Sequence, residues 1–343
     1  MKVLLLSAYK QLDIVDMPAP KPAPDELLIR IRACGICGSD VHGYDGSTGR
    51  RLPPVVMGHE AAGNVEAVGS AVENFRAGDR VTFDSTVSCG KCFFCLRGQI
   101  NLCDNREVIG VSTPAFRRMG AFAEFVTVPA RIAYPLPDNL SYAHAALIEA
   151  VSVAVHAVSL TPIALEDTVV VVGAGMIGLL TLQAVRQAGA GRVFVVDVDD
   201  SRLELARSLG ATETFNSRNA DIIPQILSHT MGRGADVALE CGGATAPVKL
   251  ALDSVRKGGT VTLIGNVAPT IELGLQSTVT RQIRLQGSCA SSGEYPACIS
   301  LISRGAIQVA PLISAVAPIE DGASWFHRLY EREPGLLKVV LEP

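Results

Sequence analysis

The sequence predicts an α/β fold class in two parts, a doubly wound parallel sheet and a β-rich domain that flanks it in chain order. Three observations carry this. Between Val169 and Asp197 a run of four valines, a glycine-rich turn, an apolar-spaced stretch and a second apolar run follow one another, reading as strand, turn, helix and strand. From there to Gly265 strands and helices keep alternating, the pattern of a parallel sheet covered on both faces. Upstream, short apolar runs are punctuated by proline and glycine, which is a β pattern. A chain of 343 residues is also too long for one small core.

The elements follow in order. Residues 1 to 30 interleave apolar runs with Pro18, Pro20, Pro22 and Pro24, which suits strands and turns and excludes a long helix. The pattern stays strand-like from Leu27 to Phe83, broken at Gly58, Gly63, Gly69 and Gly78, and AGNVEAVG with AGDRVTF reads as a small β-barrel. Cys89 to Cys103 is a polar, cysteine-rich loop. Strand character resumes over Phe122 to Val128 and Ile132 to Pro137, and helical spacing begins over Tyr142 to Leu160. After the Val169 to Asp197 unit come helix Arg202 to Leu209, helix Ile222 to Met231, strand DVALE, helix Ala246 to Val255 and strand TVTLIG. Composition shifts near Ser288; Tyr295–Pro296 leads a helix to Arg304, and LKVVLE is a closing strand. The simplest topology returns this tail to the N-terminal domain. The expected parts are 1–150, with a lobe over 86–104, then 151–287, then 288–343.

Composition excludes several functions. A net charge of −4 and a pI near 5.9 disfavour nucleic-acid and anionic-membrane partners. Hydrophobic content is 48% and mean hydropathy +0.30, yet no apolar run reaches the ~18 residues a membrane span needs. The N-terminal VLLL is too short for a signal-peptide core, so a cytoplasmic location is expected. In a reducing compartment, nine cysteines with four clustered point to metal rather than disulfides.

Three constellations carry chemistry. In VVVVGAGMIG, Gly173, Gly175 and Gly178 let backbone approach a pyrophosphate, and the helix opening at Met176 and Ile177 offers unpaired N–H groups to it. Asp197 ends the next strand, where a carboxylate accepts from ribose hydroxyls and repels a 2′-phosphate, so the expected cofactor is NAD. Arg202 lies close enough to cover the adenine or face solvent. The second constellation is Cys89, Cys92, Cys95 and Cys103, spaced C-x2-C-x2-C-x7-C. Four thiolates from one loop close a tetrahedral structural zinc, and metal–sulfur bonds then stand in for a core. An iron–sulfur cluster is disfavoured by the spacing and by Asp104 in place of proline. The third combines Cys37 in CGSDVH, His59 and Glu60 in GHE, and Glu149 in LIEAVSVAVHA. Such donors make an open zinc site, whose metal acts as a Lewis acid on an alcohol oxygen. Asp40 is placed to orient His59, while Ser39 and His42 are the candidate proton relay. Cys34, Cys241, Cys289 and Cys298 read as core, and His144, His156, His229 and His327 as structural.

ACGICGSDVH, MGHEAAGNVEAVG, CGKCFFCLRGQINLC, LIEAVSVAVHA and VVVVGAGMIG, in this order along nearly the whole chain, resemble the zinc-containing medium-chain dehydrogenases, and within them the sorbitol (polyol) dehydrogenases. The resemblance implies a GroES-like β-barrel catalytic domain with an inserted Rossmann domain, two zinc ions per subunit, and Cys37 and His59 as catalytic zinc ligands. It leaves open whether Glu60 or Glu149 is the direct carboxylate ligand. Glutamate at 149, where the alcohol dehydrogenases of the superfamily carry cysteine, implies the polyol or threonine branches.

Three departures stand out. Ala150 replaces the proline expected after Glu149, and Ala290–Ser291 replace the Arg-Tyr pair that polyol dehydrogenases use near the substrate. Gly43 and Tyr44 displace their tyrosine by one position. Arg117, Arg118 and Glu294 are the remaining candidates for substrate recognition.

The expected reaction is oxidation of a secondary hydroxyl of a small alcohol or polyol, with hydride passing to NAD. Threonine, secondary-alcohol and polyol-phosphate dehydrogenases share such a site and are the alternatives. A zinc-ribbon nucleic-acid binder lacks the basic balance it would need, and a purely structural protein would not be expected to keep Cys37, His59 and Glu60. A homodimer or homotetramer is expected, built through an edge strand near Arg284 to Gly287.

Overall fold

A computed structural model describes residues 1–219 and 221–343. The chain divides into two compact units. One comprises Met1–Glu149, Ser292–Arg304 and Val309–Pro343, the other Ala150–Ser291 and Gly305–Gln308.

In the second unit six strands form one parallel sheet. Its spatial order is Glu213–Asn216, Arg192–Asp197, Thr168–Val172, Ala235–Glu240, Val255–Leu263 and Arg284–Gly287. Thr168–Val172 is buried at every residue, which explains why its sequence is a continuous apolar run and not an alternation. Chain order reverses beside this strand, since its neighbours are the second and fourth strands of the sheet, and a crevice at such a switch point is where open α/β sheets bind ligands. Phe194, Val196, Phe215, Ile226, Val248 and Val261 pack the core on one face. The expected elements are present with ends shifted: helices Asp200–Ser208, Ile222–His229 and Thr245–Ser254. The Asp200 helix is capped by Asp199, whose carboxylate accepts from the Ser201 and Arg202 N–H groups.

In the first unit the largest sheet runs Ala133–Pro135, Arg80–Phe83, Glu60–Val68, Glu26–Gly35, Lys338–Glu342 and Ile313–Pro318, with Phe125–Pro129 also paired to Glu26–Gly35. Lys338–Glu342 lies antiparallel to Glu26–Gly35, so the C-terminal tail closes this sheet. A small sheet of Thr86–Val87, Glu107–Ile109 and Arg117–Arg118 lies next to the cysteine loop in sequence. The helical stretch expected over Tyr142 to Leu160 is two helices, Tyr142–Ala146 and Ile148–Ser159. Leu147 separates them, its N–H closing a tight bond on the His144 carbonyl. Among the described residues no helix is long and apolar enough to cross a membrane.

Candidate active site and metal centres

Cys37 caps the helix Gly38–Tyr44. Its Sγ accepts from the Ser39 N–H at 3.5 Å, and Asp40 reaches back to the Cys37 N–H at 3.4 Å, a capping box that fixes the thiol at the helix N-terminus. His59 and Glu60 enter from the head of strand Glu60–Val68. One donor atom from each of Cys37, His59 and Glu60 lies within 4.8 Å of the others. Thiolate, imidazole and carboxylate are the donors zinc takes in open sites. The buried Nδ1 of His59 has no hydrogen-bond partner; it stands 3.5 Å from Asp40 Oδ2, within ion-pair range but outside good hydrogen-bond geometry. A histidine held short of its partner suits a ligand that the metal would seat, so the residues fit zinc.

The charges here are balanced by burial-resistant pairs. Lys338 Nζ donates to both oxygens of Glu60, at 2.8 and 2.6 Å, and to the Ile36 carbonyl at 2.9 Å. Burial works to lower the Lys338 pKa, but Glu60 and Cys37 together hold it above its usual value. Burial of Asp40 would raise its carboxyl, yet His59 and Arg51 hold it well below the usual range. His59 is raised in turn, because Asp40 and Cys37 outweigh its burial.

Glu149 stands outside the ligand cluster. Its Oε1 accepts from Ser85 Oγ at 3.2 Å, and burial raises its carboxyl. Ser39 lies on the capped helix, its Oγ accepting from Arg51 Nη2 at 3.4 Å. His42 sits in the last turn of that helix and shares no hydrogen bond with Ser39. The Arg51 and Lys338 contacts are absent from the sequence reading. A lysine inside an apolar strand was a usable signal for the second, since a buried charge needs a partner.

Cys89, Cys92, Cys95 and Cys103 also converge within 4.8 Å. The Cys103 Sγ accepts from the Cys89 and Asn105 N–H groups, at 3.2 and 3.4 Å. Backbone donation led by Lys91 brings the Cys89 thiol down to about 6, whereas burial pushes Cys103 up to about 11. Phe93 and Leu96 on this lobe are exposed, so it has little core of its own and fits a structural metal.

In the second unit Gly173 takes φ +99°, and a Cβ at Gly178 would fall 1.7 Å from the Gly173 carbonyl oxygen, so both positions require glycine. Met176 and Ile177 open the helix, whose Gly175 N-cap supplies no side-chain acceptor, leaving N–H groups for an anion. Asp197 faces this turn: one oxygen accepts from the Ala174 N–H at 2.5 Å, the other from Val198 and Asp199. Arg202 is drawn to Asp199, 3.8 Å away.

Several secondary expectations change. Tyr44 bonds the Lys10 carbonyl and packs on Phe326 and Tyr330, inside the core. Arg118 is held by Glu26 and Glu107, and Arg117 is exposed. Cys289 is exposed rather than core, because it follows the short edge strand Arg284–Gly287 and not a buried one.

Residues 23–138 match the family described as "Alcohol dehydrogenase GroES-like domain" and residues 177–304 the one described as "Zinc-binding dehydrogenase". A sorbitol dehydrogenase of Bacillus subtilis is 34% identical over 100% of this chain and 97% of its own length. The chain belongs to the zinc-containing medium-chain dehydrogenases. This dehydrogenase is also 36% identical to an L-idonate 5-dehydrogenase of Vitis vinifera over 90% of the chain and 85% of the relative. A Sinorhizobium meliloti zinc-binding dehydrogenase solved with NADP superposes with a TM-score of 0.91 at 33% identity, covering 100% of this chain and 99% of that one. The GroES-like and Rossmann expectations are met. The dehydrogenase is a zinc- and pyridine-nucleotide-dependent oxidoreductase, polyol-dehydrogenase-like within its superfamily.

Proposed function

We propose that the protein oxidises a secondary hydroxyl of a polyol or sugar alcohol to the ketone, with hydride passing to NAD. The observation that carries this is the convergence of Cys37, His59 and Glu60 within 4.8 Å. These residues would hold the catalytic zinc, and Cys89, Cys92, Cys95 and Cys103 the structural one. Bound there, the catalytic metal supplies Lewis acidity toward the alcohol oxygen. The protein's own groups do the rest. Asp40 orients His59, Lys338 holds the Glu60 carboxylate, and Ser39 takes the hydroxyl proton outward, with His42, one turn further along the same helix, as the next group of the relay. Glu149, anchored by Ser85, would hold water beside the metal group.

The glycine turn carries the pyrophosphate, and the Asp197 carboxylate selects NAD by excluding a 2′-phosphate. Relatives named for sorbitol and L-idonate support a polyhydroxylated substrate. We place the reaction in the cytoplasm, where cysteines stay reduced, since none of the nine is paired in a disulfide. We assign a homo-oligomer paired through the exposed edge strand Arg284–Gly287, near which Leu275 and Val279 expose apolar surface.

The test is a panel of polyols, polyol phosphates, simple secondary alcohols and threonine, with NAD or NADP, followed at the NADH absorbance. Turnover on polyols, lost to a chelator and restored by zinc, is expected. Preference for threonine or for a phosphorylated substrate would replace the polyol reading, and no turnover by zinc-loaded protein would end it.

A further inference from the structure

Resting on the proposed zinc chemistry, we propose that Arg51 is a positioning residue for the catalytic centre, clamping the carboxylate behind His59 and the relay hydroxyl of Ser39 at the same time. The guanidinium is 4% exposed, and three of its contacts converge on this one helix. Nε and Nη2 both donate to Asp40 Oδ1, at 3.3 and 2.9 Å, and Nη2 also reaches Ser39 Oγ at 3.4 Å.

Two consequences follow for the chemistry. A carboxylate rotates about its Cβ–Cγ bond unless both oxygens are engaged. With Oδ1 taken by Arg51, Oδ2 is left toward the Cys37 N–H and the His59 ring, which sets the direction from which the histidine is oriented. The second consequence concerns Ser39. A hydroxyl has one proton and two lone pairs, whereas arginine only donates. Ser39 must therefore accept from Arg51, and its own proton is turned to another acceptor, as a relay requires.

The neighbouring sequence is shaped for this arginine. A Cβ at Gly43 would lie 2.2 Å from Arg51 Cγ and 2.9 Å from Arg51 Cβ, so the arginine stem passes through the space a side chain would occupy. Gly43 is the position at which the resemblance places a polyol-dehydrogenase tyrosine, and here Tyr44 turns away to the Lys10 carbonyl. Gly43 and Arg51 act as a matched pair. A lysine at 51 would keep the charge but not the fork that reaches two oxygens.

The test compares wild type, Arg51→Lys and Gly43→Ala as purified holoenzymes. Zinc retained per chain is measured by titration with a chelator, and kcat and KM are measured for a polyol and NAD. For Arg51→Lys the expectation is zinc affinity at one of the two centres lowered about 10–100-fold, with a comparable fall in kcat. KM for NAD and retention of the other zinc are expected to stay within about twofold. Gly43→Ala, which displaces the arginine without removing it, is expected to shift both quantities the same way. Wild-type zinc retention and kcat in both variants would overturn the proposal, as would a drop in melting temperature with no change at the catalytic centre. Wild type that binds no zinc outside the cysteine lobe would overturn the underlying reading as well, and so separates the two failures.

Discussion

The Lys338–Glu60 pair offers a perturbation whose size follows from the structure. Both side chains are at most 2% exposed, and Lys338 Nζ lies 2.6 and 2.8 Å from the two carboxylate oxygens. Replacing Lys338 by methionine keeps the stem and removes the charge, leaving Glu60 buried without its counter-ion. Breaking a buried pair in this way costs about 3–5 kcal/mol. For a unit of roughly 200 residues each kcal/mol moves the melting temperature by about 2–4 °C, so the zinc-free protein should melt roughly 10 °C earlier. Zinc adds positive charge beside Glu60, so the loss should shrink in the loaded enzyme. The double variant Glu60→Leu with Lys338→Met, which removes both charges, should recover most of the stability. The assay is thermal unfolding by circular dichroism with chelator and with zinc. A Lys338→Met shift below about 3 °C in chelator would show that Glu60 does not depend on this counter-ion, and equal losses in both conditions would show that zinc does not share the role.

Other perturbations test other parts of the account. Asp197→Ala should raise the NADP to NAD ratio of kcat/KM by at least about tenfold, since it removes the charge that meets a 2′-phosphate; an unchanged ratio would contradict the assignment. Cys103→Ser should lose one zinc per chain and open the lobe to proteolysis, measured by metal analysis and limited digestion; full metal content would argue against a structural site. Glu240 is buried, with Oε1 accepting from the Gly242 and Gly243 N–H groups and Oε2 without a partner, and its carboxyl is raised by that burial. A raised acid contributes stability that is fully present below its unfolded pKa and lost as pH rises through the folded value, so Glu240→Gln should gain melting temperature relative to wild type as pH rises above the usual glutamate pKa of about 4.3. A difference that is flat with pH would contradict this.

Local order decides what the sequence reveals. The glycine turn was legible because Gly173, Gly175 and Gly178 lie within one strand-to-helix junction, where the positive φ of Gly173 and the close approach at Gly178 admit no side chain. The cysteine lobe was legible for the same reason, with four donors inside one loop. The second metal group needed the order of several separated motifs, and its charge partners escaped altogether. Lys338 bonds a residue 278 positions away, across a sheet that only the closed fold creates. Arg51 is 11 positions from Asp40, but the intervening loop has no periodicity to show that the two meet. The break at Leu147 was invisible too, because neither glycine nor proline marks it.

Polyol oxidation by this protein depends on an electrophilic metal held by Cys37 and His59. Its most direct test is metal analysis and polyol turnover of the double variant Cys37→Ser with His59→Gln, beside wild type. The account predicts two zincs per chain in wild type, one in the variant, and loss of turnover. Two zincs retained with turnover intact would contradict it.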